Sequence, residues 1–202
     1  PPSVPPSPSP PPPYPPAPPP SVAAVPLNDT TLASAVSSCL NEDYEYGMCT
    51  DFGLKSGYGT MPYWDVSQVT QMNNTFQNRY SFKGYLHRWN VKNVKNMTRM
   101  FNYAYNFNSD ISTWDVSSVV DMSYMFYNAQ NFNKSLSAWN VLSVIDMKYM
   151  FYNAYKFSGD VSMWRGVAAS NLQTGMFSFA NTFQSAFNCT DLVKGPPNSC
   201  VS

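Results

Sequence analysis

Residues 114–129 read WDVSSVVDMSYMFYNA, and residues 139–154 repeat this string almost unchanged as WNVLSVIDMKYMFYNA. Weaker copies of the same string occupy residues 64–79 and 89–104. A fixed period of about 20 to 50 residues is typical of repeat arrays, in which each repeat stacks on its neighbours. The tryptophans follow this period, because each lies 25 residues after the one before it: Trp64, Trp89, Trp114, Trp139 and Trp164.

The spacing of apolar residues within one repeat predicts two elements. Trp114 and Val116 alternate with polar residues, and this period of two is typical of a short strand. Val119, Met122 and Phe126 then follow at intervals of three and four, which predicts one apolar face of a short helix. We therefore expect each 25-residue coil to contain one strand and one helix.

Polar residues at the boundaries of the predicted helix support this interpretation. Ser118 and Asp121 form the pattern S-x-x-D, which resembles a capping box at a helix start. Asn128 and Asn153 lie where each helix would end, a position that asparagine tolerates in the left-handed conformation.

The repeats together predict an α/β repeat solenoid. Its short strands would begin near each of the five tryptophans and would form one parallel sheet, because a single coil cannot bury its apolar face alone. The tryptophans would form the repeat core. After Trp164 the Met-Phe pair arrives one residue late, at Met176 and Phe177, so the last coil is expected to be a modified cap.

Residues 60–187 resemble the BspA-like leucine-rich repeats of microbial surface antigens and lipoproteins. The motif of that family reads W-D-V-S-x-V-x-x-M-x-x-M-F-x-x-A-x-x-F-N, and residues 114–133 match it nearly word for word. The resemblance implies a leucine-rich-repeat-like solenoid that is displayed outside the cell for adhesion or protein interaction. The family has no characteristic catalytic residue.

The composition divides the chain into four segments. Residues 1–26 hold 15 of the 18 prolines and no charged residue, so they are expected to form a polyproline II tail. Residues 27–63 would form an N-terminal cap, residues 64–187 the repeat array, and residues 188–202 a C-terminal cap. The tail resembles the hydroxyproline-rich wall glycoproteins of plants and algae, which implies hydroxylated and O-glycosylated prolines, with the block Pro10, Pro11, Pro12 and Pro13 as candidate sites. A stiff spacer is the plainer alternative.

The four cysteines indicate two disulfides and an oxidising compartment. Short loops favour local pairing, so we expect Cys39 to pair with Cys49 and Cys189 with Cys200, one bond at each end of the array. The spacings match no zinc pattern. The acidic residues near the first pair (Glu42, Asp43, Glu45 and Asp51) suggest a calcium site only weakly, because they lack the EF-hand spacing. We therefore predict no metal and no other cofactor.

The formal net charge of zero argues against nucleic-acid or anionic-membrane partners, because both require basic patches. No apolar run reaches the length of about 18 residues that suggests a membrane span. His87, the only histidine, has no catalytic or metal-ligating neighbours in the sequence and is assigned a surface role. Since no catalytic motif is found, the protein is predicted not to be an enzyme.

Five Asn-x-Ser/Thr sequons occur in the chain. Asn28 lies in the linker before the array and is the preferred N-glycosylation site; Asn73, Asn133 and Asn188 are further candidates. Asn96 aligns with Asp121 of the next repeat and is expected to be structural instead.

Two classes of function fit these observations. The first is an extracellular structural protein, either secreted or part of a cell surface or appendage, that assembles with itself into a filament or layer through its proline-rich tail and the ends of its array. The second is a cell-surface adhesin that binds glycans or surface proteins. Its binding surface would use outward-facing residues such as Tyr105, Tyr127, Tyr152 and Tyr155, since tyrosine suits both sugar and protein contacts.

Overall fold

A computed structural model describes residues 25–161, 164, 174–186, 188–189 and 200–201. Two helices precede the repeats: α1 (Leu32–Glu42) and α2 (Thr50–Ser56), followed by a 3-10 turn at Met61–Tyr63. Helix α3 (Asn181–Ala186) follows the repeats. The short strands β1 (Asn188–Cys189) and β2 (Cys200–Val201) pair antiparallel near the end of the chain. Residues 1–24 of the proline-rich tail lie outside the described residues.

The predicted α/β repeat solenoid is wrong. Residues 64–161 contain neither a helix nor a strand, so the strands expected to begin at Trp64, Trp89, Trp114 and Trp139 are not formed. Instead, each coil is a series of turns. The coils are linked by isolated parallel bridges that join the same position of successive repeats: Gln71 with Asn96, Asn96 with Asp121, and Asp121 with Asp146.

Backbone N–H groups in the Met-Phe part of each coil alternate between two kinds of partner. In the third coil, Met125, Tyr127 and Ala129 donate to the carbonyls three residues earlier, at distances of 2.9–3.2 Å. The intervening N–H groups donate to the next coil instead, to carbonyls 24 residues ahead, at 2.8–2.9 Å; the donors are Met122, Tyr124, Phe126 and Asn128. Because every second N–H leaves the coil, the ladder of bonds to the fourth preceding residue that defines an α-helix cannot form.

Two residues per coil adopt the left-handed conformation, which explains the turns. In the third coil these are Tyr124 (φ 58°) and Asn128 (φ 57°), and the equivalent positions of the neighbouring coils behave alike. Each is the third residue of a hydrogen-bonded turn, the position at which type II turns have positive φ. Such a residue interrupts an α-helix. Consecutive turns therefore produce the three- and four-residue spacing that predicted a helix.

The predicted capping box is also wrong in detail. The Asp121 carboxylate does not reach back toward Ser118; its Oδ1 accepts the N–H of Ser123, two residues ahead, at 2.8 Å. The aspartate of the W-D-V-S motif does the same, since Asp115 accepts the N–H of Ser117 at 3.1 Å. Both are side-chain-closed Asx turns, which compete with helix formation.

The apolar columns of the repeat form one continuous core. Phenylalanines at the same position stack from coil to coil: ring centroids are 5.5 Å apart for Phe76 and Phe101, and 5.6 Å apart for Phe101 and Phe126. The two phenylalanines within a coil also stack, as Phe126 and Phe132 do at 4.1 Å. The late Met-Phe pair continues the column, because Phe177 lies 5.2 Å from Phe151.

The tryptophans join each coil to the one before it. The carbonyl of Leu86 accepts both the backbone N–H of Trp89, at 3.1 Å, and the indole N–H of Trp114, at 3.0 Å. The carbonyl of Ile111 serves Trp114 and Trp139 in the same way, at 3.1 Å each. These indoles are buried, so the hydrogen bond is needed to satisfy the N–H. Trp89 follows the same pattern with the carbonyl of Met61, at 2.9 Å, whereas the buried indole N–H of Trp164 has no hydrogen-bond partner among the described residues. The strict 25-residue spacing thus reflects a hydrogen bond as well as packing.

The segment before the first coil supplies the hydrogen-bond acceptor that a preceding coil would otherwise provide. In the array, the carbonyl of Thr70 accepts the N–H groups of Lys95 and Asn96, at 2.8 and 3.4 Å. The first coil has no such carbonyl before it. Its N–H groups at Thr70 and Gln71 donate instead to Oδ1 of Asp29, at 2.6 and 2.9 Å. A side-chain carboxylate therefore replaces the missing backbone acceptor.

We expect Trp114→Phe to lower the free energy of unfolding by about 2–3 kcal/mol, because it removes a buried hydrogen bond and leaves a cavity. Denaturant titration followed by tryptophan fluorescence measures this change. Tyr44→Phe, at a ring that is 67% exposed, is the control and should change stability by less than about 0.5 kcal/mol. Equal stability of the two variants would contradict the role assigned to the indole.

A second prediction concerns pH. Partial desolvation raises the pKa of Asp29, but the hydrogen bonds from Thr70 and Gln71 outweigh it, so the pKa lies below its ordinary value of 3.8. A depressed carboxyl pKa stabilises the fold above the unfolded pKa, and this stabilisation disappears as pH falls through the folded value. Asp29→Asn should therefore cost about 1 kcal/mol at pH 7, a value reduced for solvent exposure.

The difference between wild type and Asp29→Asn should shrink below pH 4 as the native carboxylate is protonated. Unfolding titrations at a series of pH values test this. A difference that stayed constant down to pH 2 would argue that packing, and not charge, accounts for the effect of Asp29.

Candidate interaction surface

A continuous group of tyrosines lines one side of the coils. Their backbone positions alternate with the buried Met and Phe positions of the turns, and this alternation directs the rings outward. We call this group the tyrosine face; its members are Tyr80, Tyr103, Tyr105, Tyr124, Tyr127, Tyr149 and Tyr152. Tyr80 is 51% exposed, and the other rings are half-buried.

The rings of the tyrosine face contact each other both along and across the coils. Along the stack, the centroids of Tyr127 and Tyr152 are 4.7 Å apart with an interplanar angle of 3°, and those of Tyr124 and Tyr149 are 5.1 Å apart. Across the coils, Tyr124 lies 5.7 Å from Tyr127, and Tyr149 lies 5.8 Å from Tyr152. Each ring therefore holds its neighbours in place, and the surface is ordered before any partner binds.

Two residues beside the tyrosine face differ from it chemically. The guanidinium of Arg99, in the second coil, lies over the ring of Tyr124, 4.8 Å from its centroid. Phe179, which follows the last coil of the face and is 57% exposed, packs edge-on against Tyr152 at 5.2 Å. The face thus borders one cationic and one apolar side chain.

The phenol of Tyr127 remains neutral at physiological pH. Burial raises the pKa of Tyr127, and the neighbouring phenols of Tyr103 and Tyr152 raise it further. Each neutral hydroxyl both donates and accepts a hydrogen bond. The face can therefore bind a partner that is apolar and rich in hydrogen-bond acceptors.

A row of asparagines runs along the coils at the positions that follow the tyrosines. The amide of Asn131 donates to Oδ1 of Asn106 at 2.9 Å. Oδ1 of Asn108 accepts the N–H of Asn133, and Oδ1 of Asn133 accepts the N–H of Ser158, at 2.9 and 3.0 Å. These amides are used to join coils, so the row is at least partly structural.

The sequence identified part of this surface. Tyr105, Tyr127 and Tyr152 belong to the tyrosine face, whereas Tyr155 is 41% exposed and has no ring contact with the face among the described residues. Tyr124 and Tyr149 were missed because they lie between two buried methionines at a position that the predicted helix gave no reason to single out. The recurrence of aromatic residues at that one variable position was the available signal.

The predicted glycosylation sites have different surroundings. Asn73 and Asn133 are exposed. Asn28 is half-buried, and its Oδ1 accepts the hydroxyl of Thr30 at 2.7 Å and the N–H of Thr31 at 3.2 Å, next to the start of α1. The side chain of Asn188 and the prolines at 10–13 lie outside the described part. N- and O-glycosylation at these positions stay predictions.

The structure joins Cys39 to Cys49 in a disulfide, with their Cα atoms 5.0 Å apart. Cys189 and Cys200 are directly opposite each other in the antiparallel pair of β1 and β2. The side chains of this second pair lie outside the described residues, so their disulfide stays a prediction.

The acidic residues that suggested a calcium site have structural partners. The Glu42 carboxylate accepts the N–H groups of Asp51 and Phe52, at 3.0 and 2.9 Å, and so caps the first turn of α2. Asp43 accepts the N–H groups of Tyr46 and Met48. In the described ranges no group of three or more metal-ligating side chains is arranged to hold an ion.

His87 is half-buried. Burial lowers its pKa, and the nearby Arg88 lowers it further, so the imidazole is neutral at pH 7. Within the part of the chain that the structure describes, no helix has the length and apolarity needed to cross a membrane.

The chain belongs to a family of surface-repeat proteins. The family described as "Mycoplasma protein of unknown function, DUF285" matches residues 51–164 and 112–193, which together cover more than half of the chain. The matched region contains all the coils and the tyrosine face. Neither a curated protein nor a solved structure matches the chain.

Proposed function

We propose that this protein is an extracellular, non-catalytic structural protein that assembles with itself into a filament or surface layer through its proline-rich N-terminal segment. The tyrosine face is the observation that carries the proposal. Aromatic surfaces bind proline-rich segments well, and residues 1–26 of the same chain hold 15 prolines and no charge. A pre-ordered face loses little entropy on binding, which favours association.

The ends of the array contribute less to this proposal than the sequence suggested. Asp29 occupies the backbone acceptor position before the first coil, and Leu27 is fully buried beside it. The N-terminal end is therefore not an open edge that could continue into another molecule. This arrangement favours assembly through the tail over direct stacking of ends.

The finer family assignment is also part of the proposal. The repeat motif resembles the BspA-like surface antigens, and the tail resembles hydroxyproline-rich wall glycoproteins; both resemblances favour a location outside the cell. The Cys39–Cys49 disulfide is consistent with that location, because disulfides persist in oxidising compartments.

Deletion of residues 1–24 tests the assembly function. This deletion keeps Val25, whose N–H donates to the carbonyl of Gly57 at 3.2 Å, and it leaves the cap intact. Full-length protein should sediment as large assemblies and show fibres by electron microscopy, whereas the truncated protein should sediment as a monomer. A Gly-Ser segment of the same length is the control for loss of bulk alone and should also sediment as a monomer. Fibres that persist unchanged without the segment would refute the proposal.

A role as an adhesin or as a glycan- or protein-binding module is the second candidate. It is favoured by the exposed phenols and amides along the coils. The same sedimentation experiment separates the two, because full-length protein that remained a monodisperse monomer at high concentration would support this second role.

We also propose that the extracellular protein carries carbohydrate at Asn28 and on the proline-rich tail. Intact mass spectrometry of protein from its native source should give a mass above the 22.7 kDa of the bare chain. Treatment with an N-glycosidase should remove only the N-linked part of the excess. A native mass of 22.7 kDa would rule out both modifications.

A further inference from the structure

We propose that the tyrosine face is the binding site for the proline-rich segment, residues 1–24, of a second copy of this chain. This inference rests on the proposed function and adds to it the surface on which the segment binds. The face is defined by rings held in fixed contact, of which Tyr127 and Tyr152 form the closest coil-to-coil pair at 4.7 Å.

The spacing of the face matches that of a polyproline II helix. Hydrogen-bonded neighbours lie about 4.8 Å apart, so two coils span about 9.6 Å. A polyproline II helix rises 3.1 Å per residue with three residues per turn, about 9.3 Å in total. One turn of the segment therefore advances nearly two coils, so residues three apart in the segment lie over every second coil of the face. Over the few coils of the face the mismatch stays within the reach of side-chain adjustment.

The chemistry of the two surfaces is complementary. Proline has no N–H, and a polyproline II backbone makes no internal hydrogen bonds, so its carbonyls are available as acceptors. The phenols of the face are donors, and burial together with the adjoining Tyr103 and Tyr152 raises the pKa of Tyr127, which keeps that donor protonated. The proline rings supply apolar surface that packs on aromatic rings. Neither the segment nor the tyrosines carry a charge that would have to be desolvated.

The length and attachment of the segment favour a second molecule as its binding partner. As polyproline II, 24 residues span about 74 Å, whereas five coils span about 24 Å. The segment joins the folded part at Val25, which is bonded to the cap that precedes the first coil. A stiff segment about three times as long as the five coils would extend past its own molecule, and its outer part could reach the face of another copy.

Photochemical cross-linking of the full chain tests this proposal. Tyr14 lies in the middle of the segment, and Tyr14→p-benzoylphenylalanine places a cross-linker there. This variant, with natural isotopes, is mixed with ¹⁵N-labelled wild-type chain, irradiated and digested with trypsin. We expect cross-links between light segment peptides and heavy peptides 100–134 and 149–156, which contain Tyr127 and Tyr152.

A heavy chain with Tyr127→Ser and Tyr152→Ser should reduce the yield of these cross-links at least fivefold. Tyr44→Ser, which removes an exposed phenol from the cap, is the control and should leave the yield unchanged. If the double variant fails to fold, the position of the cross-links in the wild-type chain still decides the question, because it does not depend on any change in the face.

Three outcomes would overturn the inference. Cross-links confined to light chains would identify a molecule's own segment as the occupant of the face. Cross-links mainly to peptides outside the face, or no cross-links at all, would show that the segment does not bind there. Sedimentation of the same samples separates this failure from failure of the proposed function. Assemblies that need the segment but cross-link elsewhere would leave the proposed function standing, whereas assemblies that form without the segment would remove it.

Discussion

The structure depends on a division of backbone hydrogen bonds between two directions. In each coil, every second N–H of the turn region closes a turn within the coil, and the others donate to the next coil at about the same distance. A buried backbone polar group without a partner is costly. The bonds within a coil and the bonds between coils therefore form and break together. A single coil satisfies only half of the backbone N–H groups in its turn region, so a coil is stable only as part of a stack.

The remaining features follow from the need to begin and continue that stack. Trp89, Trp114 and Trp139 add a second link between coils, because each of these indoles donates to a carbonyl that also accepts the backbone N–H of the previous tryptophan. The stacked phenylalanines fill the space that the turns enclose. At the first coil, the carboxylate of Asp29 accepts the N–H groups that would otherwise have no backbone partner. The outward rings of Tyr127 and its neighbours are therefore spaced as regularly as the coils.

The sequence predicted the 25-residue period, the tryptophan that begins each coil and the buried apolar columns. It could do so because apolar periodicity depends only on which residues face inward. It did not predict the backbone. Spacings of three and four arise both from a helix and from consecutive turns, and the S-x-x-D pattern fits either. The distinguishing signal was the occurrence of asparagine four residues apart at Asn74 and Asn78, since asparagine tolerates positive φ. In the third coil Tyr124 fills the first of these positions, and tyrosine gives no such indication. Because tyrosine replaces asparagine at this position, the sequence also gave no reason to place Tyr124 and Tyr149 on the interaction surface.

The scarcity of regular secondary structure in the repeats has a spectroscopic consequence. Far-ultraviolet circular dichroism reports mainly on helices and sheets, and residues 64–161 contain neither. The folded array would therefore lack the strong far-ultraviolet bands of a helix, although its core is closely packed. Its indoles lie in parallel stacks, 6.5 Å apart for Trp114 and Trp139, which is close enough for their electronic transitions to couple. The native state is consequently visible in the near-ultraviolet aromatic bands, and loss of a far-ultraviolet signal is a poor measure of whether this protein has unfolded.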